Sequence, residues 1–232
     1  MHRLLDSALK GRVGHAPGHA PGLWLANLGA CLTFLWPITT GAVSQRDWQF
    51  QVFLDDQAIG HHRFFLTRNG PHERLRSEAM FEVTFLKIPL FSYRHENVET
   101  WDGQCLQDIR SETDENGKQF RVEGTSDGEA FQLSTLSGEA TLPGCISTFA
   151  YWDKSFLTRD RLLNAQTGEY LDVEVSYLGE QTVPLRNTEY LAHRYLLRTE
   201  RREIELWYSR DDQWLGLQST IRGGRVLRYV IE

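Results

Sequence analysis

The stretch Cys145-Ile-Ser-Thr-Phe-Ala-Tyr-Trp-Asp-Lys-Ser-Phe-Leu157 is the densest aromatic run in the chain and does not alternate between apolar and polar residues. If buried, each of its four large rings would remove about 150 to 250 Å² of surface from water. The four rings are Phe149, Tyr151, Trp152 and Phe156. The stretch therefore predicts an apolar plug inside a shell of β-strands. A short helix is expected to follow it, with Ser155 or Thr158 as the N-cap.

Outside this stretch the chain shows the period-two pattern of half-buried strands. In the first such segment the apolar residues at positions 48, 50, 52 and 54 share one face of a strand. Dipeptides such as Asn116-Gly117 and Asp127-Gly128 supply the positive φ that tight hairpin turns require. Strands joined by short turns usually pair with each other. We therefore predict an all-β fold, a mainly antiparallel, curved up-and-down sheet or barrel of roughly a dozen strands with one short helix after the aromatic loop.

The N-terminal region has the layout of a secretory signal peptide. An apolar segment at 23–43 follows three basic residues, and Ala42-Val43-Ser44 has small residues where a cleavage site needs them. We therefore predict a signal peptide at 1–44, a single β-barrel-like domain at 45–232, and export to the periplasm. Two alternatives stay open: a retained membrane anchor formed by the same apolar segment, and acylation of Cys31.

The charge pattern of the chain excludes one class of partner. The formal net charge is −6, and no cluster of basic residues stands apart from acidic neighbours. Nucleic acid is therefore not an expected partner. Arg198, Arg201 and Arg202 alternate with glutamates, which is typical of a solvated strand face. A fixed internal repeat is also missing from the sequence, which argues against a propeller or a solenoid.

Cysteine usage fits an oxidising compartment. Cleavage of the signal peptide would remove Cys31 and leave Cys105 and Cys145, an even pair that predicts a disulfide. Closing a loop of about 40 residues would stabilise the fold by about 4 kcal/mol if the entropy of the unfolded chain is the main contribution. The bridge would tie the aromatic stretch to an earlier strand. Two separately buried thiols are the alternative.

Both ends of the strand-rich region carry a family resemblance. The opening Phe50-x-Val-Phe-Leu-Asp-x-x-x-Ile-Gly60 and the closing Ile204-Glu-Leu-Trp-Tyr-Ser-Arg-Asp-Asp212 resemble the ends of uncharacterised β-rich proteins of the bacterial periplasm. The run Cys145-x-Ser-Thr-Phe-Ala-Tyr-Trp152 resembles a signature of a subgroup of that family. The resemblance covers most of residues 46–232. It implies a curved sheet or barrel, similar in general shape to lipoprotein-carrier and lipocalin-like envelope folds, and it implies no catalytic residues.

His61 and His62 are the most prominent candidate metal ligands. Adjacent residues of a strand point to opposite faces, so only one of the two would join His95 or Glu96 from a neighbouring strand. The spaced Cys and His pattern of dedicated zinc sites is missing from the sequence. We therefore predict no metal site and no cofactor.

Asp153 is the candidate catalytic acid because it follows Tyr151 and Trp152. A carboxyl group buried against aromatic rings has a raised pKa and is suited to general acid catalysis. The sequence does not single out the second acid that a glycosidase needs, and Ser147 lacks the Gly-x-Ser-x-Gly motif of hydrolases. Capping of the following turn is the simpler role for Asp153. We therefore assign no catalytic residue.

The leading hypothesis for function is a non-enzymatic envelope protein that binds a lipid or another amphiphilic small molecule on the concave face of its sheet. Three alternatives stay open: a hydrolase that acts on an envelope glycan or ester, a non-catalytic partner of another envelope protein, and a barrel filled by its own side chains. The oligomeric state, monomer or larger, is left open. The expected ligand-binding residues are Trp48, Phe81, Tyr151, Trp152, Asp153 and Phe156, with Phe50 and Phe85 beside them.

Overall fold

The computed structural model describes residues 43–85, 88–185, 188–221 and 223–232, all of which lie in one compact unit. The predicted signal peptide lies outside the described residues, apart from Val43 and Ser44. A helix long and apolar enough to cross a membrane is not found in the described part of the chain.

The strands are named in chain order. The first eight are β1 Ser44–Leu54, β2 Gln57–Asn69, β3 His72–Phe85, β4 Ile88–Asp102, β5 Cys105–Glu115, β6 Lys118–Ser126, β7 Ala130–Thr135 and β8 Gly138–Pro143. The others are β9 Arg161–Leu163, β10 Tyr170–Asp172, β11 Glu174–Leu185, β12 Thr188–Arg198, β13 Glu203–Ser209, β14 Trp214–Thr220 and β15 Val226–Ile231. A 3₁₀ helix, Lys154–Thr158, lies between β8 and β9.

Thirteen of the described strands form one antiparallel sheet, in the order β11-β12-β13-β14-β15-β1-β2-β3-β4-β5-β6-β7-β8. Neighbours in this sheet are neighbours in sequence except where β15 pairs with β1, with Phe50 opposite Ile231. This arrangement confirms the predicted all-β, up-and-down topology. Within the described residues β8 and β11 are the two edges, so main-chain hydrogen bonds do not close the sheet into a complete barrel. β9 pairs with β10, and its Leu163 also forms a single parallel bridge with Thr148.

The sheet curves so that distant strands share one apolar cluster. Trp48 and Phe50 of β1 lie in the same buried cluster as Phe131 of β7 and Tyr208 of β13. Close packing sets some local residue choices: a Cβ added to Gly124 on β6 would lie 2.3 Å from the Phe131 ring. The concave face therefore encloses the core, and the convex face carries most of the charged residues.

The aromatic stretch runs through the inside of the curved sheet, as predicted. We call residues 145–172 the plug. Trp152 and Phe156 are buried in the main apolar cluster. The backbone N–H of Leu106 on β5 donates to the carbonyl of Ile146, and the Tyr208 hydroxyl on β13 donates to the carbonyl of Tyr151. The plug is thus fixed to two walls that are far apart in the sheet.

Ser155 and Thr158 are wrong as N-caps of the short helix, whereas the capping role expected for Asp153 is confirmed. The 3₁₀ helix lies within the aromatic stretch, and its N-cap is Asp153, whose carboxylate accepts from the Ser155 backbone N–H at 3.0 Å and from the Ser155 hydroxyl at 2.7 Å. Aspartate suits this position because its oxygens can satisfy otherwise unpaired amide groups. The residues after Thr158 form β9, where Leu162 and Leu163 are fully buried, so a strand replaces the expected helix there.

A disulfide joins Cys105 and Cys145, with their Cα atoms 4.8 Å apart. Cys105 is the first residue of β5, and Cys145 is the first residue of the plug. The Arg159 guanidinium donates to the carbonyl of Gln104 at 2.9 Å and lies 3.5 Å from the Cys145 sulfur. The start of the plug is therefore attached covalently to the sheet at the point where the 3₁₀ helix also contacts it.

Replacing both cysteines by serine is expected to lower the free energy of unfolding by about 4 kcal/mol, because the unfolded chain regains the entropy of a 40-residue loop. Urea unfolding of the oxidised wild type and of the Cys105→Ser/Cys145→Ser variant measures this difference. Reduced wild type is the control and should match the variant. Equal stability of the oxidised wild type and the variant would contradict this role of the bridge.

Candidate functional site

The structure puts the residues predicted to bind a ligand in several different settings. Trp48, Trp152 and Phe156 lie in the main apolar cluster and are at most 5% exposed. Trp152 packs edge-to-face on Trp101, with ring centroids 5.7 Å apart. Asp153 is committed to capping the 3₁₀ helix. These four residues therefore fill and support the end of the barrel that the plug occupies.

Phe81 belongs to a second apolar cluster, separate from the plug. Half-buried side chains surround this cluster, among them Phe91, Tyr93 and Tyr229, so it is less completely covered than the main cluster. Tyr151 is half-buried at the margin of the main cluster, 5.3 Å from the Trp214 ring. The buried members of the second cluster are Val52, Leu54, Ile59, Ala79, Phe81 and Val83.

Between the two clusters the concave face is polar. The side chains concerned come from four consecutive strands, and all but one of them are at most 6% exposed, the half-buried His62 being the exception. We call this set the polar layer. It consists of His62 on β2, Ser77 on β3, His95, Asn97 and Glu99 on β4, and Ser111 and Thr113 on β5.

Strand register brings the polar layer together. His62 lies opposite Ala79, which lies opposite His95 on the next strand. In the adjacent row Ser77 stands between Phe64 and Asn97. Because alanine and serine are small, the wall is recessed along β3, with larger side chains on both sides. We call this low part of the wall, above Ala79 and Ser77, the recess.

Hydrogen bonds satisfy part of the polar layer. Asn97 donates from Nδ2 to Glu99 at 2.9 Å, and the Trp101 indole N–H donates to the other Glu99 oxygen at 3.0 Å. Nδ1 of His95 lies 2.8 Å from the Thr113 hydroxyl oxygen. Nδ1 of His62 lies 3.2 Å from the Tyr229 hydroxyl oxygen. Tyr229 lies on β15, two strands from β2 in the sheet, and thus borders the layer on its β1 side.

Two buried atoms of the polar layer have no hydrogen-bond partner among the described residues, Nε2 of His62 and Oδ1 of Asn97. Leaving a buried donor or acceptor unpaired costs about 1 to 3 kcal/mol. Such atoms in folded proteins normally bond to ordered water or to a ligand. The polar layer therefore has unused hydrogen-bonding capacity on both sides of the recess.

The side chains around the recess lie on the concave side of the sheet. His62 and Tyr229 are half-buried, yet they lie among the rings of Phe64 and Phe81 inside the sheet. Burial raises the pKa of Tyr229 well above its usual range. Both side chains therefore belong to the inner face of the sheet.

Comparison with known proteins identifies the family of this chain. Residues 50–232 match the family described as Domain of unknown function (DUF6134). The chain belongs to this family. The predicted membership of an uncharacterised β-rich family is thereby confirmed, and no curated protein matches the chain.

A solved structure similar to this DUF6134 chain supports the architecture. It is described as the crystal structure of a beta-barrel-like protein of domain of unknown function DUF1849 from Brucella abortus. The two chains are 10% identical, with a TM-score of 0.58 over 81% of this chain and 94% of that chain. At this identity the likeness shows a shared barrel-like fold and does not extend to activity.

The polar layer of this DUF6134 chain is uncharged on its histidine side. Burial lowers the pKa of His62 well below its usual range and the pKa of His95 to about 4, so both imidazoles are neutral at pH 7. Burial raises the pKa of Glu99, while hydrogen bonds from Asn97, Trp101 and Thr148 oppose that shift. The site therefore offers neutral donors and acceptors beside one buried carboxyl group.

A metal ion does not fit these side chains. In the described ranges, no group of three or more His, Cys, Asp or Glu side chains is arranged to hold a metal. The rings of His62 and His95 lie on one face with centroids 6.4 Å apart, whereas Glu96 pairs with Arg94 on the other face of β4.

His62 and His95 were candidates from the sequence, but Asn97, Glu99 and Tyr229 were not. A strand without an apolar face, such as Tyr93–Trp101 of this chain, is the signal that points to them.

Acidification is expected to destabilise the fold through the two imidazoles. Their pKa values are lower in the folded state than in the unfolded chain, so the unfolded chain binds more protons as the pH falls below about 6.5. The stabilisation that each provides above that pH is lost on acidification, and for His95 the loss is about 2 kcal/mol at pH 5.

Urea unfolding at pH 7 and pH 5 measures this loss in the wild type and in the His62→Gln/His95→Gln variant. The decline should be smaller in the variant. Glu99 has a raised pKa and acts in the opposite sense, but it is present in both proteins, so its contribution cancels. An equal decline in the two proteins would show that the imidazoles are not buried as described.

Proposed function

We propose that this protein is an exported, non-enzymatic binding protein that holds an amphiphilic small molecule inside its curved sheet. The ligand's polar group would lie in the recess of the polar layer, and its apolar part would lie along the second cluster. The observation that carries the proposal is the pair of unpartnered buried atoms, Nε2 of His62 and Oδ1 of Asn97, beside an incompletely covered apolar cluster.

The two ends of the barrel differ in how fully they are packed. At the plug end Phe50, Leu106 and Phe131 are completely buried, which leaves little surface for a ligand. In the second cluster the buried members are 6 to 9% exposed, apart from Val52 and Ala79, and their half-buried neighbours complete the wall. Covering this apolar surface would contribute about 25 cal/mol per Å². The second cluster is therefore the favoured seat for an apolar tail.

Aromatic rings give this end a defined shape. Phe81 stacks on Tyr93 with centroids 5.1 Å apart, and the Tyr229 ring meets Phe81 edge-on at 6.3 Å. Rigid rings lose little conformational entropy when a ligand contacts them. Apolar walls with a few convergent polar groups are typical of small-molecule sites.

The contacts of the candidate catalytic groups favour binding over hydrolysis. The Ser147 hydroxyl donates to the carbonyl of Thr148 at 3.1 Å instead of to an imidazole, and Asp153 caps the 3₁₀ helix. A serine nucleophile needs a base within hydrogen-bond distance. The Cys105–Cys145 disulfide is consistent with an oxidising compartment such as the periplasm.

Ala79→Leu tests the proposal because a leucine there would fill the recess between His62 and His95. Wild-type protein exported in a bacterial host is expected to retain an amphiphile in native mass spectrometry. Ala79→Leu is expected to lose it, while its melting temperature equals or exceeds that of wild type stripped of ligand. The matched control is Ala140→Leu on β8, where the alanine is exposed, and it should retain the ligand.

Two results would contradict the proposal. The first is a wild type that carries no amphiphile and whose melting temperature does not rise when uncharged or anionic amphiphiles are added. The second is an Ala79→Leu variant that is about 1 to 3 kcal/mol less stable than ligand-free wild type, which is the cost of inserting methylenes into a core that has no free space.

A further inference from the structure

We infer that the polar group bound in the recess is an uncharged hydroxyl or amide, which accepts a hydrogen bond from His62 and donates one to Asn97. This inference rests on the proposed function and names the chemical class of the ligand. It excludes fatty acids and phospholipids, which have an ionised head group. Its two fully buried atoms without a partner among the described residues are one nitrogen, Nε2 of His62, and one oxygen, Oδ1 of Asn97, and the head group must satisfy both.

The donor of the recess is Nε2 of His62. A neutral imidazole has one N–H and one bare nitrogen. Its Nδ1 lies 3.2 Å from the hydroxyl oxygen of Tyr229. A phenol donates more readily than it accepts, so we assign the Tyr229 proton to this contact and the imidazole proton to Nε2. That N–H has no acceptor among the described residues.

The acceptor of the recess is Oδ1 of Asn97. The Nδ2 group of this amide already donates to Glu99, which fixes the amide orientation and turns Oδ1 away from the carboxyl group. Oδ1 has no donor among the described residues. The Asn97 side chain is 4% exposed, so bulk water does not supply that donor.

Only some chemical classes of head group can form hydrogen bonds with both Nε2 of His62 and Oδ1 of Asn97. A carboxylate or a phosphate diester has acceptors alone, so it would bond to His62 but would face Oδ1 of Asn97 and the nearby Glu99 with its own negative oxygens. The polar layer has no lysine or arginine to pair with that charge, and both imidazoles are neutral at pH 7. A hydrocarbon or an ether leaves Oδ1 unpaired. A hydroxyl or an amide both donates and accepts.

The shape of the recess agrees with a small head group. Its floor is the pair Ala79 and Ser77, and its sides are the larger residues of β2 and β4. Phe81 and Val83 continue from Ala79 along the same face of β3 into the second cluster. A long-chain alcohol or a fatty amide would therefore extend its chain along β3 away from the plug.

The experiment uses the mature exported protein and four twelve-carbon probes, dodecan-1-ol, dodecanamide, dodecanoate and dodecyl methyl ether. Displacement of a fluorescent apolar dye at pH 7.5 gives the affinities, with each probe kept below its solubility limit and dodecanoate also below its critical micelle concentration. The alcohol and the amide are expected to bind at least tenfold more tightly than the carboxylate and the ether. In Asn97→Leu the alcohol and the ether should bind equally, because the acceptor is gone. The control variant is Gln119→Leu, which removes a side-chain amide from an exposed position of β6 and should keep the wild-type order of affinities.

The outcomes separate this inference from the proposed function. Binding of dodecanoate as tight as that of dodecan-1-ol overturns the assignment of an uncharged head group and leaves amphiphile binding intact. Failure of all four probes to bind overturns both. The wild-type ligand series decides between these results even if Asn97→Leu does not fold.

Discussion

The burial of the plug inside the curved sheet is the interaction on which the rest of the structure depends. Trp152 packs on Trp101 of β4, and Tyr151 packs on Trp214 of β14, so the plug joins walls that main-chain hydrogen bonds do not connect directly. Each large ring removes about 150 to 250 Å² from water. Because β8 and β11 do not pair in the described sheet, side-chain packing on the plug takes over much of the role that strand pairing has in a closed barrel.

Because the plug fills one end of the curved sheet, the concave face is apolar at that end and becomes polar farther along. The concave face of β4 changes along its length, from Trp101 in the main cluster, through Glu99, Asn97 and His95, to Tyr93 beside the second cluster. The buried face of a strand is usually apolar, because burying a polar group costs free energy unless the group is hydrogen-bonded. Departures from that rule tend to occur at functional sites, where the cost of burying polar groups is offset elsewhere. The disulfide and the plug supply stability at the opposite end.

The sequence predicts the strands well because alternation on a half-buried strand is a strong local signal, and turn dipeptides such as Asn116-Gly117 mark the hairpins. It misses β8, whose residues are almost all exposed and so do not alternate. It misplaces the 3₁₀ helix, because the Leu162-Leu163 pair is equally compatible with a helix and a strand. The site depends on register: His62, Ala79 and His95 are far apart in sequence and align only once β2, β3 and β4 pair.

A high-resolution crystal structure of the exported protein, purified without detergent, would show directly whether the recess holds a ligand. We predict ordered density above Ala79, within hydrogen-bond distance of Nε2 of His62 and Oδ1 of Asn97. Density that continues along Phe81 would show the apolar part of the same molecule. A recess closed by protein side chains, with both atoms bonded to other protein groups, would contradict a ligand site at this position.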